Sequence, residues 1–179
     1  MKRCKWANNE INIKYHDEIW GKEEHDDQKL FKMLILEGLQ AGLSWETILK
    51  KEEIYEQSLD YFDYYKISRY NEEKYLSLMN TPGLIHNQLK MKAIITNAQS
   101  YIRIIEEYGS FNNYIWKYVD YKPIIHHGII PTYDELSTLI SHDLKKRGFK
   151  FVGPTIIYSY MQAIGMYNDH EDDCDFKYL

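Results

Sequence analysis

The chain has 179 residues, a hydrophobic fraction of 44% and a net charge of −5, which suits one domain with a real core and excludes wholesale disorder. No apolar run approaches the roughly 20 residues of a membrane helix. The acidic balance argues against gripping nucleic acid through bulk positive charge, although it leaves room for a local basic face.

The opening MKRCKWANNE has basic residues with no apolar run behind them, so it does not read as a secretory signal, and the cytoplasm is the expected compartment. Nearly every long segment carries helical period, without alternating strand pattern, repeat or low-complexity tract, so the expected fold class is all-α. Trp6, Tyr15 and Trp20 cluster near the N-terminus around the stretch YHDEIWG. From Asp27 to about Gln40, Leu30, Phe31, Leu34, Ile35 and Ala41 recur at helical spacing up to Gly42, and Ser44 is a suitable N-cap for a helix through SWETILKK.

Farther on, the segments around NEEKYLSLMN and HNQLKMKAIITNAQSYIRIIEEYG flank TPGLI, where Pro82 and Gly83 predict a helix-turn-helix hairpin over about 72–108. In PTYDELSTLISHDLKKRG, Thr132 and Glu135 are read as a capping box. Leu136, Leu139, Ile140 and Leu144 form the apolar stripe, and Gly148 closes the helix. A last helix starts after Gly153 and Pro154. The tail NDHEDDCDFKYL is polar and acidic, and by composition it frays.

Glu37 is the residue whose placement demands explanation. At 100° per residue it projects into an apolar arc between Met33 on one side and Leu30 and Ala41 on the other, with Lys29 and Lys32 pointing away. A carboxylate there loses several kcal/mol of hydration as an order of magnitude, unless neighbouring donors satisfy it or a cationic ligand arrives. Trp45 follows one short turn beyond that helix. Flat rings beside a carboxylate suit a planar cation, although core packing explains aromatic residues equally well.

The two cysteines lie near opposite ends of the chain, and in a reducing compartment metal ligation is a stronger expectation than a disulfide. The candidate ligands are Cys4 with His16, and His170 with Cys174. The second pair is spaced i, i+4, so on a helical turn both would face one way. Two sulfur and two nitrogen donors make a closed tetrahedral zinc site, which would also anchor the polar tail. His25, His86, His126, His127 and His142 have no comparable pairing and read as surface or capping residues. The TPGLI turn exposes backbone N–H groups able to hold a phosphate, although an ordinary αα turn looks the same in sequence.

Taken in order, RCKW, YHDEIWG, LFKMLILEGLQAGLSWETILKK, GLIHNQLKMKAIITNA and KKRGFKFVGPTIIYSYMQAIGMYNDH resemble the 3-methyladenine DNA glycosylase I family of the helix-hairpin-helix glycosylases, over nearly the whole chain. The resemblance implies a single domain over 1–179, built of two helical lobes with the lesion pocket between them and a structural zinc joining the N- and C-terminal segments. By the same resemblance the zinc ligands are Cys4, His16, His170 and Cys174, and the pocket carboxylate is Glu37. Tyr15 and Trp45 are the stacking residues, Trp20 and Trp6 line the wall, and Gly83 and Lys90 meet the DNA backbone.

The implied activity is monofunctional. The enzyme flips N3-methyladenine out of double-stranded DNA and hydrolyses its glycosidic bond as a monomer, and no lysine is placed to act as a Schiff-base nucleophile. One departure concerns the hairpin: His86 and Gln88 stand where relatives carry arginines, which predicts weak affinity for undamaged DNA. Two rival readings are a zinc-tethered helical DNA-binding module without catalysis and an HD-type phosphohydrolase centred on His16 and Asp17. The second lacks an upstream histidine.

Overall fold

The computed structural model describes residues 1–179. The helices are α1 (Glu10–Glu18), α2 (Asp27–Leu39), α3 (Trp45–Ser58), α4 (Tyr64–Ile67), α5 (Glu72–Met79), α6 (Gln88–Tyr108), α7 (Phe111–Trp116), α8 (Glu135–Lys146) and α9 (Pro154–Ala163). Short polar side chains start most of them. Asn9, Asp26, Ser44, Asn71, Asn87 and Ser110 each accept a hydrogen bond from a backbone N–H of the first turn.

Helix α2 is the central element, packed against α9, α6, α7 and α3. Leu30, Phe31, Leu34 and Ile35 sink into the main core, while a smaller apolar cluster gathers Cys4, Tyr15, Trp20, Leu49, Ala163 and Cys174 beside it. The wealth of tyrosine is used inside the core, where the phenols of Tyr55, Tyr101, Tyr114, Tyr158, Tyr160 and Tyr167 each find a polar partner. Tyr160 donates to Leu30 O at 2.8 Å and Tyr101 to Asp27 O at 2.6 Å, tying α9 and α6 to the central helix. Tyr55 accepts from Ile85 N at 2.9 Å, which holds the start of the hairpin strap against α3.

The helical reading holds for the long elements, and the hairpin spans α5, a turn with Gly83 at φ +91° and α6. Four details differ. A two-residue parallel pairing, β1 (Ile124–Ile125) with β2 (Tyr167–Asn168), interrupts the all-α pattern, because it is too short to leave an alternating signature. The cap of α8 is Asp134 with Ser137 rather than Thr132 with Glu135; the carboxylate accepts from Ser137 N at 2.7 Å, and a hydroxyl at position 132 lies too far upstream to serve. Leu139 is exposed, and the buried stripe of α8 runs instead through Ser137, Ile140, Ser141 and Leu144.

The fourth difference is the tail, which does not fray. Asp175 N donates to Lys2 O at 2.9 Å and Lys5 N to Glu171 Oε1 at 3.0 Å, so the two ends of the chain hold each other. Lys177, only 2% exposed, donates to His126 O, to His170 O at 2.8 Å and to Asp172. Composition misleads here because the polar groups are spent on one another rather than on water.

Candidate functional site

Helix α2 carries Glu37 at its last turn, 3% exposed, in the arc that the helical spacing predicts. Its Oε2 is buried without a hydrogen-bond partner, and no cation pairs with it. Burial alone pushes its carboxyl up to about 8, since desolvation penalises the charged form. Of the two readings open in the sequence, a carboxylate satisfied by neighbours is excluded for Oε2.

Tyr15, from the second turn of α1, and Trp45, at the start of α3, face Glu37 as a tilted pair with ring centroids 5.3 Å apart. The Trp45 indole Nε1 is buried and unpartnered. Burial, followed by the nearby Glu37 charge, holds the Tyr15 phenol well above its ordinary value. Together with Trp6, Trp20 and Gln40 these residues line a cleft of about 690 Å³. No lysine or arginine lines it, whereas Glu37, Glu46, Asp169 and Glu171 do. The cleft therefore favours a planar, apolar-faced ligand of positive charge.

Three cleft residues carried no signal in the sequence. Asp169, 5% exposed, accepts from Tyr158 Oη at 2.7 Å and Gln162 Nε2 at 2.8 Å, and it pairs with His126 Nδ1 at 2.7 Å. It thereby fixes the Gln162 amide at the cleft wall. Asn12 joins the wall from α1. In the sequence Asp169 looks like one more acid of a polar tail; only the fold brings it under α9. His25 and His127 lie at the surface as the sequence predicts, where His25 meets Asn112 and Glu23 and His127 pairs with Asp172, while the half-buried His126 belongs to the Asp169 network.

Beside the cleft, the ligand atoms of Cys4, His16 and Cys174 all lie within 4.8 Å of one another, and the three residues are buried. Both cysteines are free thiols. His16 Nδ1 is engaged by Asp17 Oδ1 at 2.8 Å, which turns Nε2 toward the thiols. His170 abuts this group, with its ring 5.0 Å from that of His16 and its Nδ1 held by Asn168 Oδ1 at 2.8 Å. Its Nε2 is a buried atom with no partner. Burial lowers the His170 imidazole to about 4 and raises the Cys4 thiol to about 12. The donor set fits a soft divalent cation: the other ring nitrogen of each histidine is already fixed, as metal-ligating imidazoles require. His170 and Cys174 do not share a helical turn, since the chain between them is a tight turn closed by Cys174 N donating to Glu171 O at 2.9 Å.

Trp20 and Trp6 bridge the two regions. Trp20 lies 4.7 Å from the His170 ring and 5.1 Å from Trp6, which in turn lies 6.2 Å from Tyr15. The phosphohydrolase reading fails because Asp17 gives both oxygens to Arg3, at 2.9 and 2.8 Å, besides holding His16. Lys90 is also misplaced by the sequence reading. It is 8% exposed, and its ammonium caps the end of α2 by donating to Leu39 O at 3.0 Å and to Ala41 O, so it is not offered to a phosphate. His86 folds back on the turn through Thr81 O at 2.8 Å. Gly83 is exposed, its carbonyl taken by Lys51 at 2.5 Å.

A family model described as methyladenine glycosylase matches residues 6–178. The chain is 42% identical to a DNA-3-methyladenine glycosylase of Haemophilus influenzae, covering 98% of this chain and 97% of that one. It is 43% identical to DNA-3-methyladenine glycosylase 1 of Escherichia coli, covering 97% and 96%. A crystal structure of a 3-methyladenine DNA glycosylase I variant in complex with 3-methyladenine superimposes with a TM-score of 0.94 at 38% identity, covering 98% of this chain and 97% of that one.

Proposed function

The chain belongs to the methyladenine glycosylase family, and from that premise we propose that it excises N3-methyladenine from alkylated double-stranded DNA, with the unpartnered carboxylate of Glu37 as the group that recognises the damaged base. The observation that carries this reading is a buried acid in an aromatic cleft that contains no cation of its own.

The chemistry follows from the substrate. Methylation at N3 makes the base cationic, so the glycosidic bond is already weak and the base leaves neutral. The C1′–N9 bond breaks with its electron pair going to N9, water oxygen bonds to C1′, and the water's proton passes to solvent. Little general acid is required. The enzyme extrudes the nucleotide at a cost of a few kcal/mol and holds the base against the faces of the Tyr15–Trp45 pair, with Trp6 and Trp20 completing the wall. Glu37 then accepts hydrogen bonds from the base edge. Its charge is desolvated in the free protein, and the cationic base removes that penalty, whereas neutral adenine cannot. The absence of lysine from the cleft fits a monofunctional enzyme that leaves an abasic site uncut.

Cys4, His16, His170 and Cys174 would hold one zinc ion, whose contribution is structural: it fastens the N-terminal segment, and with it Tyr15, to the tail. The chain acts as one domain of two helical lobes, as a cytoplasmic monomer. The hairpin turn at Gly83 and the start of α6 meet the DNA backbone through N–H groups, and Lys90 leaves that role. The decisive experiment incubates the protein with methylated duplex DNA and looks for free 3-methyladenine. Its absence, with DNA still bound, would favour a non-catalytic module.

A further inference from the structure

Behind the Tyr15–Trp45 pair lies a second cavity of about 270 Å³ that the excision step does not use. Three helices divide between the two spaces in the same sense. Helix α1 gives Asn12 to the cleft and Glu18 to the rear, α2 gives Met33 to the rear while its C-cap Gln40 lines the cleft, and α3 gives Glu46 to the cleft and Leu49 to the rear. Tyr15, Glu37 and Trp45 are the residues common to both linings, so they form the partition.

The partition is held by packing and has no polar anchor at Trp45, whose Nε1 is without a partner. The rear floor is apolar, with Met33, Leu36, Leu49 and Ala163. Its outer rim is charged, and Lys32 clasps α2 to α3 there through Glu52 at 2.5 Å and through Glu56.

Resting on the reading of the cleft as the base site, we propose that this rear cavity is the exit for the excised methylated purine. Tyr15 and Trp45 form the inner gate, and the Lys32–Glu52 clasp forms the outer one. With duplex DNA across the cleft, the freed base sits behind the abasic sugar and has no way out at the front. Bond cleavage also changes what holds the base: the cation is retained by Glu37, while the neutral product loses that attraction and is compatible with an apolar floor.

The test separates cleavage from release on labelled methylated duplex DNA with enzyme in excess. Acid quenching reads the broken bond, and rapid filtration that retains the protein–DNA complex reads the freed base. The wild-type protein is expected to release base faster than it releases DNA. Leu49→Trp fills the rear floor, and it is expected to leave cleavage unchanged and slow base release severalfold. Lys32→Ala opens the rim and is expected to speed release at unchanged cleavage. It removes only a rim ion pair, so the test stands even where the bulkier indole disturbs packing. Release at the rate of DNA dissociation in every variant overturns the exit, as does a Leu49→Trp protein slowed equally in cleavage and release. A wild-type protein that cleaves nothing overturns the proposed function itself.

Discussion

Glu37 and Trp45 present the cleft with complementary halves of an unmade hydrogen-bond set: a carboxylate oxygen and an indole N–H, each buried and each without a protein partner. An unsatisfied buried polar atom costs about 1–3 kcal/mol, so a fold that keeps two beside one cleft holds them for something that enters it. A nucleobase edge, with donors and acceptors side by side, fits such a pair.

Replacing Glu37 with Gln keeps the volume and removes the ionisable group. Excision of N3-methyladenine is expected to fall by about 10² or more, while thermal unfolding shows no loss of stability. Wild-type turnover would remove Glu37 from the mechanism.

The acidity of Glu37 sets a pH dependence. Its carboxyl moves from an ordinary 4.5 up to about 8 in the fold, so the folded chain prefers the protonated form. The free protein therefore loses stability as pH rises between those two values, by several kcal/mol as an order of magnitude. Chemical denaturation across that range is expected to show the slope in wild type and its absence in Glu37→Gln. Because the ionised form receives the cation, kcat/KM is expected to have an ascending limb with its midpoint near 8.

Metal analysis of the purified protein is expected to find about one zinc per chain with no open coordination position. Cys174→Ser is expected to abolish it and lower the melting temperature, as is treatment of wild type with a strong chelator. A metal-free protein of unchanged stability contradicts the structural role.

Gly21 tests the same centre indirectly. It sits at φ +76°, and a Cβ there would lie 2.6 Å from His170 Cε1. Gly21→Ala is expected to push His170 away and weaken zinc retention against a competing chelator, in addition to the backbone strain. A retained affinity would show that His170 is not a ligand.

Lys90→Met is expected to cost about 1–3 kcal/mol by orphaning the carbonyls at the end of α2. The salt dependence of DNA binding should not change, because the ammonium is already spent inside the protein. A shallower salt slope would return Lys90 to the phosphate backbone.

The helical period by itself determined α2, the burial of Glu37 within its arc, the cap of α3 at Ser44 and the hairpin around Gly83, because each depends on neighbours within a turn or two of chain. The four metal candidates were legible as residue types, and their order with the other motifs identified the family. Only the tertiary structure decided that the tail folds back on the N-terminus, that Asp169 lies under α9 with Gln162, that Lys90 turns inward, and that Tyr15 and Trp45 divide two spaces. Those outcomes depend on pairs of groups far apart in sequence, such as Lys5 with Glu171 and Cys4 with Cys174. Their pairing leaves no periodic signal, since hydrogen bonds and ligand geometry are satisfied in space and not along the chain.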